Sequence, residues 1–219
     1  MRKKIPTLMR RVAPSTLAFF NGLRLLWAKD SYLQQTGFMR SCKAGYPCRP
    51  DGRPLPWMNY PVIAFLEERL NKSHRVFEYG SGYSTLFFAS LAKEVVAVEH
   101  DRQWYTEIEK KLADNASLLH CELDYDGKYC RAITEAKGPF DLVVVDGRDR
   151  VNCMLQARLC LTENGVVILD DAQREQYLPG IHHLTASGFK RLNFEGLKPT
   201  GIAPERTTLF YRTQNCLDL

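Results

Sequence analysis

The sequence is narrowed first by what it lacks. No CxxC pair occurs among its seven cysteines, Cys42, Cys48, Cys121, Cys130, Cys153, Cys160 and Cys216, so the spacing of a zinc site is missing. Their number is odd and their spacing irregular. Several fall in predicted helices or strands, where a thiol acts as a small apolar group. That usage points to a reducing compartment, with the cytoplasm as the expected location; only in an exported chain would Cys42 pair with Cys48. The N-terminal apolar stretch is interrupted by Asn21 and Arg24 and is too short and polar to span a bilayer. No clear small-residue cleavage site follows it, so a signal peptide is not expected. Acid is absent from residues 1–29. Arg2, Lys3, Lys4, Arg10, Arg11, Arg24 and Lys29 give that segment a charge of +7, while the remainder holds 23 basic and 25 acidic residues. A near-neutral body argues against a nucleic-acid groove across the fold. It leaves any contact with an anionic surface to the lead-in. Internal repeats and low-complexity tracts are also missing.

What is present fits one α/β domain with a modest extension. The 219 residues are 45% hydrophobic and 25% charged, enough to bury a sheet between two helix layers. A helix from about Ser15 to Lys29 gathers Leu17, Phe20, Leu23, Leu26 and Trp27 on one stripe. The plainer reading is that this stripe packs on the domain. The sharper one is an interfacial helix on an anionic membrane, helped by the basic residues. Residues 30–60 read as a loop, being interspersed with Gly37, Gly45, Pro47, Pro50, Gly52, Pro54 and Pro56, and serve either to cover a substrate site or as a strap. We therefore divide the chain into 1–59, a basic helix with a Pro- and Gly-rich cover, and 60–219, the main domain.

From Tyr60 strands and helices alternate. Pro61 opens a helix. Strands are predicted at 75–79, 94–99, 117–123, 140–145 and 165–169, each followed by a helical pattern. The most apolar of them, Phe140–Val145, is expected at the sheet centre. Two further strands, 189–194 and 207–212, have only a Gly- and Pro-bearing loop between them. The pattern predicts a seven-stranded, mostly parallel sheet with helices on both faces and an antiparallel C-terminal pair.

The first strand runs into Glu78-Tyr-Gly80-Ser81-Gly82-Tyr-Ser84-Thr85. Gly80 and Gly82 let the backbone turn and approach a ligand, and the helix N-terminus that follows offers free N–H groups. The next strand ends at Glu99, where a carboxylate can accept from both hydroxyls of a ribose. A dinucleotide enzyme would place a third glycine where Thr85 stands. Glu78-x-Gly80-x-Gly82 with Ser84-Thr85, Val-Glu99-His100-Asp101, Phe140-Asp-Leu-Val-Val-Val-Asp146-Gly and Gly165-Val-Val-Ile-Leu-Asp170-Asp171 together resemble the class I S-adenosylmethionine-dependent methyltransferases, with their Rossmann-like α/β fold. The similarity runs from about Pro61 to Arg212. It implies S-adenosylmethionine as cofactor, with the methionine portion at Gly80 and Gly82, its amino group held through Glu78, the ribose at Glu99 and the adenine near Asp124. The implied cofactor set is Glu78, Gly80, Ser81, Gly82, Ser84, Thr85, Glu99, His100, Asp124 and Asp146.

Asp146, Asp170 and Asp171 fall at the carboxyl ends of the fourth and fifth strands. Together they resemble the Mg²⁺ ligands of O-methyltransferases acting on catechols and on antibiotic sugars, and the Asp-Asp pair is the more usual form in the sugar enzymes. The alternative is that Asp146 touches the substrate without metal and Asp170 or Asp171 caps the next helix. The catalytic set is Asp146, Arg148 and Asp171. Arg148 and Arg150 are read either as a grip on an acceptor carboxylate or phosphate or as local contacts with Asp149 and the helix start. His182 and His183 are read as packed or exposed, with a general-base role as the alternative. Trp104 and Tyr105 are read as helix core unless one flanks the adenine. The tail from Phe194 to Arg212 resembles uncharacterised bacterial relatives of the superfamily. No Asn-Pro-Pro-aromatic motif of base amino-group methylation is present.

The expectation is O-methylation of a small-molecule or glycan hydroxyl, with no nucleic-acid partner, a peripheral membrane contact through residues 1–29 and a homodimer left open. The rivals are an aminopropyltransferase and a non-catalytic cofactor-fold protein at a membrane surface.

Overall fold

The computed structural model describes residues 14–219, so Arg2, Lys3, Lys4, Arg10 and Arg11 of the basic lead-in lie outside the described residues. Helix α1 (Pro14–Trp27) matches the predicted amphipathic helix closely, but its stripe is only partly covered: Leu17, Leu23 and Leu26 are half-buried while Phe20 and Trp27 stand out. None of its residues is buried, and Phe20 and Trp27 are 57% and 68% exposed. The main contact of α1 among the described residues is with α2 (Tyr32–Gln35), a single turn with one buried residue, Leu33, too small to cover a longer stripe. Among the described residues no helix is long and apolar enough to cross a membrane.

The expected loop over 30–60 holds helical turns instead, α2 and α3 (Phe38–Ala44). The Ser31 hydroxyl accepts from the Gln34 N–H at 3.3 Å, and Gly37 and Gly45, with φ of 87° and 76°, flank α3. Those glycines act as left-handed helix ends, not as loop punctuation. Further along, Leu55 and Met58 are buried in the same core as Ile63 and Leu66, so the end of this segment is built into the domain.

The rest follows the predicted alternation. Asn59 caps α4 (Tyr60–Arg69) through the Val62 N–H, with Pro61 in its first turn. Then come β1 (Arg75–Tyr79), α5 (Tyr83–Leu91), β2 (Glu94–Glu99), α6 (Arg102–Glu109), β3 (Ala116–His120), α7 (Lys128–Glu135), β4 (Phe140–Val145), α8 (Arg150–Leu159) and β5 (Leu161–Leu169). A 3₁₀ turn (Glu175–Tyr177), α9 (Leu178–Ala186), β6 (Lys190–Leu197) and β7 (Pro204–Tyr211) complete the chain. The strand order is β3-β2-β1-β4-β5-β7-β6, with β4 at the centre as its apolar run predicts. β1 to β5 pair in parallel, and β7 lies antiparallel to both β5 and β6.

Alternate residues of each strand face opposite layers. Phe77, Tyr79, Val143, Val145, Val167 and Leu169 pack with α7, α8 and α9, while Val76, Leu142, Val144, Val166 and Ile168 pack with α4 and α5. Burial of each such side chain stabilises by about 1.5–3 kcal/mol, which makes the double-sided sheet the main source of stability. The order reverses between β1 and β4. Their chains leave that point in opposite directions and open a cleft at the carboxyl ends.

Candidate active site

That cleft is about 500 Å³ and is lined from the ends of β1, β2, β4 and β5. β1 delivers Glu78 and then turns at Gly80, whose φ of 89° favours glycine. A Cβ on Gly80 would lie 2.9 Å from Gly147 N and Cα, so the loops after β1 and β4 cross in direct backbone contact. Gly147 is equally constrained: a Cβ there would strike the Tyr129 hydroxyl and lie 2.7 Å from Gly80 N. Gly82 differs from the expectation of a bent glycine. Its φ of 164° is extended backbone, and a Cβ would meet the Trp104 ring only at 3.5 Å.

Glu78 is fully buried. Its Oε2 accepts from the Thr85 hydroxyl at 2.5 Å, and Thr85 in turn accepts from the Gly82 N–H at 3.0 Å. Among the described residues its Oε1 has no hydrogen-bond partner. Burial pushes the Glu78 carboxyl up to about 8, against the lowering effect of Ser84 and Thr85. Ser84 lines the cleft; Thr85 stands behind it as a support.

Glu99, at the end of β2, is buried and saturated. Oε2 accepts from the Ser81 N–H and hydroxyl, both at 3.0 Å. Oε1 accepts from the His100 and Asp101 N–H groups at 2.8 and 2.9 Å. His100 also lines the cleft. Trp104 is not simple helix core: it lines the cleft and donates its indole N–H to the Ser81 carbonyl at 2.7 Å. Tyr105 turns instead to Glu109. Asp124 is not among the cleft-lining residues. Its carboxylate accepts from the Lys128 and Tyr129 N–H groups at 2.8 and 3.0 Å, and those bonds hold its pKa below the usual range. It satisfies the first N–H groups of α7 from outside the helix, a use that the polar loop in sequence does not distinguish from ligand binding.

Asp146, Asp170 and Asp171 converge as expected, with carboxylate oxygens within 4.8 Å of one another. Arg150 does not reach for an acceptor. It is buried and bonds the carbonyls of Gly147, Asp146 and Asp170, and Oδ1 of Asp146 at 3.0 Å. Asp171, with φ of 52°, pairs through Oδ2 with Arg174 at 2.7 Å and through Oδ1 with Lys198 at 2.5 Å. Asp170 receives the Thr207 hydroxyl on Oδ1 at 2.6 Å and Lys198 on Oδ2 at 2.5 Å. Neither Asp170 nor Asp171 caps the following helix through its side chain. Of the six carboxylate oxygens, only Asp146 Oδ2 is unbonded among the described residues. Mg²⁺ prefers six oxygen ligands at about 2.0–2.1 Å. A set already filled by Lys198, Arg150, Arg174 and Thr207 does not fit it. Burial and the nearby Asp170 push the Asp146 carboxyl up to about 7, against Arg150 and Lys198.

Arg148 is exposed at the mouth, where the cleft joins a second hollow of about 240 Å³ lined by Arg148, Arg174 and Tyr177. Asp149 is not its partner, since Asp149 accepts from the Asp126 N–H and the Asn152 amide. His182 is exposed on α9, and neither it nor His183 lines the cleft. Lys198 and Arg174 carry no local signal that marks them for this site, while Trp104 takes up the adenine-side alternative read for it in sequence as far as lining the cleft. Gly147 ends the fourth-strand motif itself.

No family model matches the sequence, and a search of curated proteins gives no match. Solved structures do match. A candidate O-methyltransferase from Klebsiella pneumoniae aligns at 16% identity and TM-score 0.55, over 89% of this chain and 96% of that one. An rRNA methylase from Streptococcus thermophilus aligns at 16% identity and TM-score 0.52, over 70% of this chain and 97% of that one. Fibrillarin from Aeropyrum pernix, with natively bound S-adenosyl-L-methionine, aligns at 12% identity and TM-score 0.52, over 65% and 68%. With the strand order, the reversal between β1 and β4 and the antiparallel final pair, these likenesses show that the chain has the class I S-adenosylmethionine-dependent methyltransferase fold.

Proposed function

We propose that the protein transfers a methyl group from S-adenosylmethionine to a hydroxyl of a small-molecule or glycan acceptor. The observation that carries this reading is the unpartnered, buried Glu78 Oε1 at the glycine corner, in the same cleft as the one open oxygen of Asp146. A buried acceptor atom without a donor calls for one from a ligand, and the amino group of the cofactor is a cationic donor. Five acidic side chains and three arginines line the cleft, and a bound sulfonium and ammonium would favour the ionised forms of the raised Glu78 and Asp146 carboxyls.

Bound there, the cofactor supplies an electrophilic methyl carbon on sulfur. Glu78 and the crossing of Gly80 with Gly147 would hold its amino-acid end. Ser81 exchanges its rotatable hydroxyl bond to Glu99 for one from the ribose, and Trp104 keeps the loop in place. Asp146 Oδ2 takes the proton of the acceptor hydroxyl. The oxygen so freed of its proton would receive the methyl group that a bound cofactor offers, with the electron pair of the broken carbon–sulfur bond left on sulfur. Arg148 grips an anionic group of the acceptor at the mouth, and Asp171 fixes Arg174 beside it. Positioning and charge complementarity supply the rate. The lead-in of residues 1–29 contacts an anionic membrane surface.

Calorimetry with S-adenosylhomocysteine is expected to show binding that Glu78→Gln and Glu99→Ala each weaken. Absence of heat on folded protein sinks the reading. Mass analysis of the product separates it from aminopropyl transfer, since methyl transfer adds one CH₂ unit.

A further inference from the structure

The three-carboxylate cluster already contains a cation, and it is covalently part of the chain. Lys198 is about nine-tenths buried. Its ammonium lies 2.5 Å from Asp170 Oδ2, 2.5 Å from Asp171 Oδ1 and 3.0 Å from Glu205 Oε2. An ammonium has three donors, and here each has one carboxylate oxygen. Arg150 and Arg174 neutralise the side of the cluster that faces the cleft. Four carboxylates, Asp146, Asp170, Asp171 and Glu205, thus meet three fixed positive charges. A divalent ion added among them would reverse the sign of the cluster and sit against an ammonium in a poorly solvated site, where like-charge repulsion is strong.

We infer that Lys198 is a resident cation which takes the place of a divalent metal, so that the site is organised and works without one. This rests on the proposed activity only for the last clause; the cation replacement stands on geometry alone. Lys198 does not line the cleft, so it is a positioning residue acting through Asp170, Asp171 and, behind them, Arg150 and Asp146.

The fold holds this lysine in place from the far end of the chain. Lys198 directly follows β6, and the turn after it is pinned by the Trp57 indole N–H, which donates to the Pro199 carbonyl at 3.0 Å and to the Thr200 hydroxyl at 3.2 Å. The Asn59 amide donates to the Phe194 carbonyl and to the Thr207 hydroxyl, and Thr207 passes a hydrogen bond to Asp170. The segment before α4 is therefore a strap on the β6–β7 hairpin, and through it on the acid cluster.

The test is a titration of Mn²⁺ read by the electron paramagnetic resonance of the free ion. Wild-type protein is expected to leave the free-ion signal unchanged, and Lys198→Met to reduce it, because removing the ammonium frees three carboxylate oxygens, on Asp170, Asp171 and Glu205. Methyl transfer by the wild type is expected to persist in EDTA. Loss of free-ion signal with the wild type, abolished by Asp170→Asn, overturns the inference. A Lys198→Met protein that keeps its circular dichroism yet leaves the signal unchanged also overturns it. If that variant does not fold, the wild-type titration decides alone. The titration needs no turnover, so failure of S-adenosylhomocysteine to bind would remove the proposed activity and leave the Lys198 result legible.

Discussion

At the scale of single residues, Asp146 is where the site shows its chemistry. Its Oδ1 is held by Arg150 and its Oδ2 faces the cleft, with Asp170, Asp171, Glu78 and Lys198 as its charged neighbours. A carboxyl raised to about 7 is half ionised near neutrality, and only the ionised form takes a proton. The methyl-transfer rate is therefore expected to fall as pH drops below about 7 and to level off above it. Asp146→Asn should lower kcat by about 10²–10⁴-fold and erase that limb of the profile; an unchanged profile in the variant removes Asp146 as the base. The stability effect has the opposite sense. Because the folded-state pKa is raised, the charged form costs stability above about 7, and this group's cost is relieved as pH falls through about 7 toward its unfolded value. Glu99 teaches a different lesson. Its four protein donors fix the β1 and β2 loops together, so its substitution loosens the loops as well as removing a ligand contact.

At the scale of elements, the site depends on a crossing and a strap. The crossing is the backbone contact of Gly80 with Gly147, which joins the loops after β1 and β4 at the strand-order reversal. Gly147→Ala adds a methyl group against backbone that cannot move away. It is expected to destabilise by about 1–3 kcal/mol and to weaken S-adenosylhomocysteine binding together with thermal stability, measured by calorimetry and thermal melts on the same sample. Gly82→Ala, with its nearest contact at 3.5 Å from a ring, is the control and should be much milder. The strap is the run from Trp57 to Asn59 that bonds the β6–β7 hairpin. In sequence the motif strands were legible because each is local: an apolar run, a glycine corner and a terminal acid lie within a few residues. The hairpin's part in the site was not, because Lys198 and Asp170 meet only through strand pairing of β7 beside β5.

At the scale of the whole molecule, charge and apolar surface are both concentrated at the N-terminal end. α1 leaves Phe19, Phe20 and Trp27 exposed, and the residues before it carry most of the chain's excess positive charge. A helix with exposed aromatic residues next to bases binds anionic bilayers by area and charge together. The protein is expected to co-sediment with vesicles containing phosphatidylserine and not with neutral vesicles. Removal of residues 1–29 should abolish the binding while leaving S-adenosylhomocysteine binding intact. Equal sedimentation of the truncated chain would exclude the lead-in as the contact.

Residue order alone specified the seven strands, their alternation with helices, the glycine corner with Glu78 and Glu99 beside it, and the meeting of three acids at one sheet edge. These follow from periodicity and from the rule that open α/β sheets place their ligands at strand carboxyl ends. Tertiary structure alone decided which carboxylate oxygens stay open. Asp124 is taken up by a helix end, Gly82 proves extended, Arg150 is drawn inward and Lys198 fills the acid cluster. A carboxylate's role is set by the donors that reach it, and those donors come from strands and loops far away in sequence, brought near only by the order in which the sheet is built.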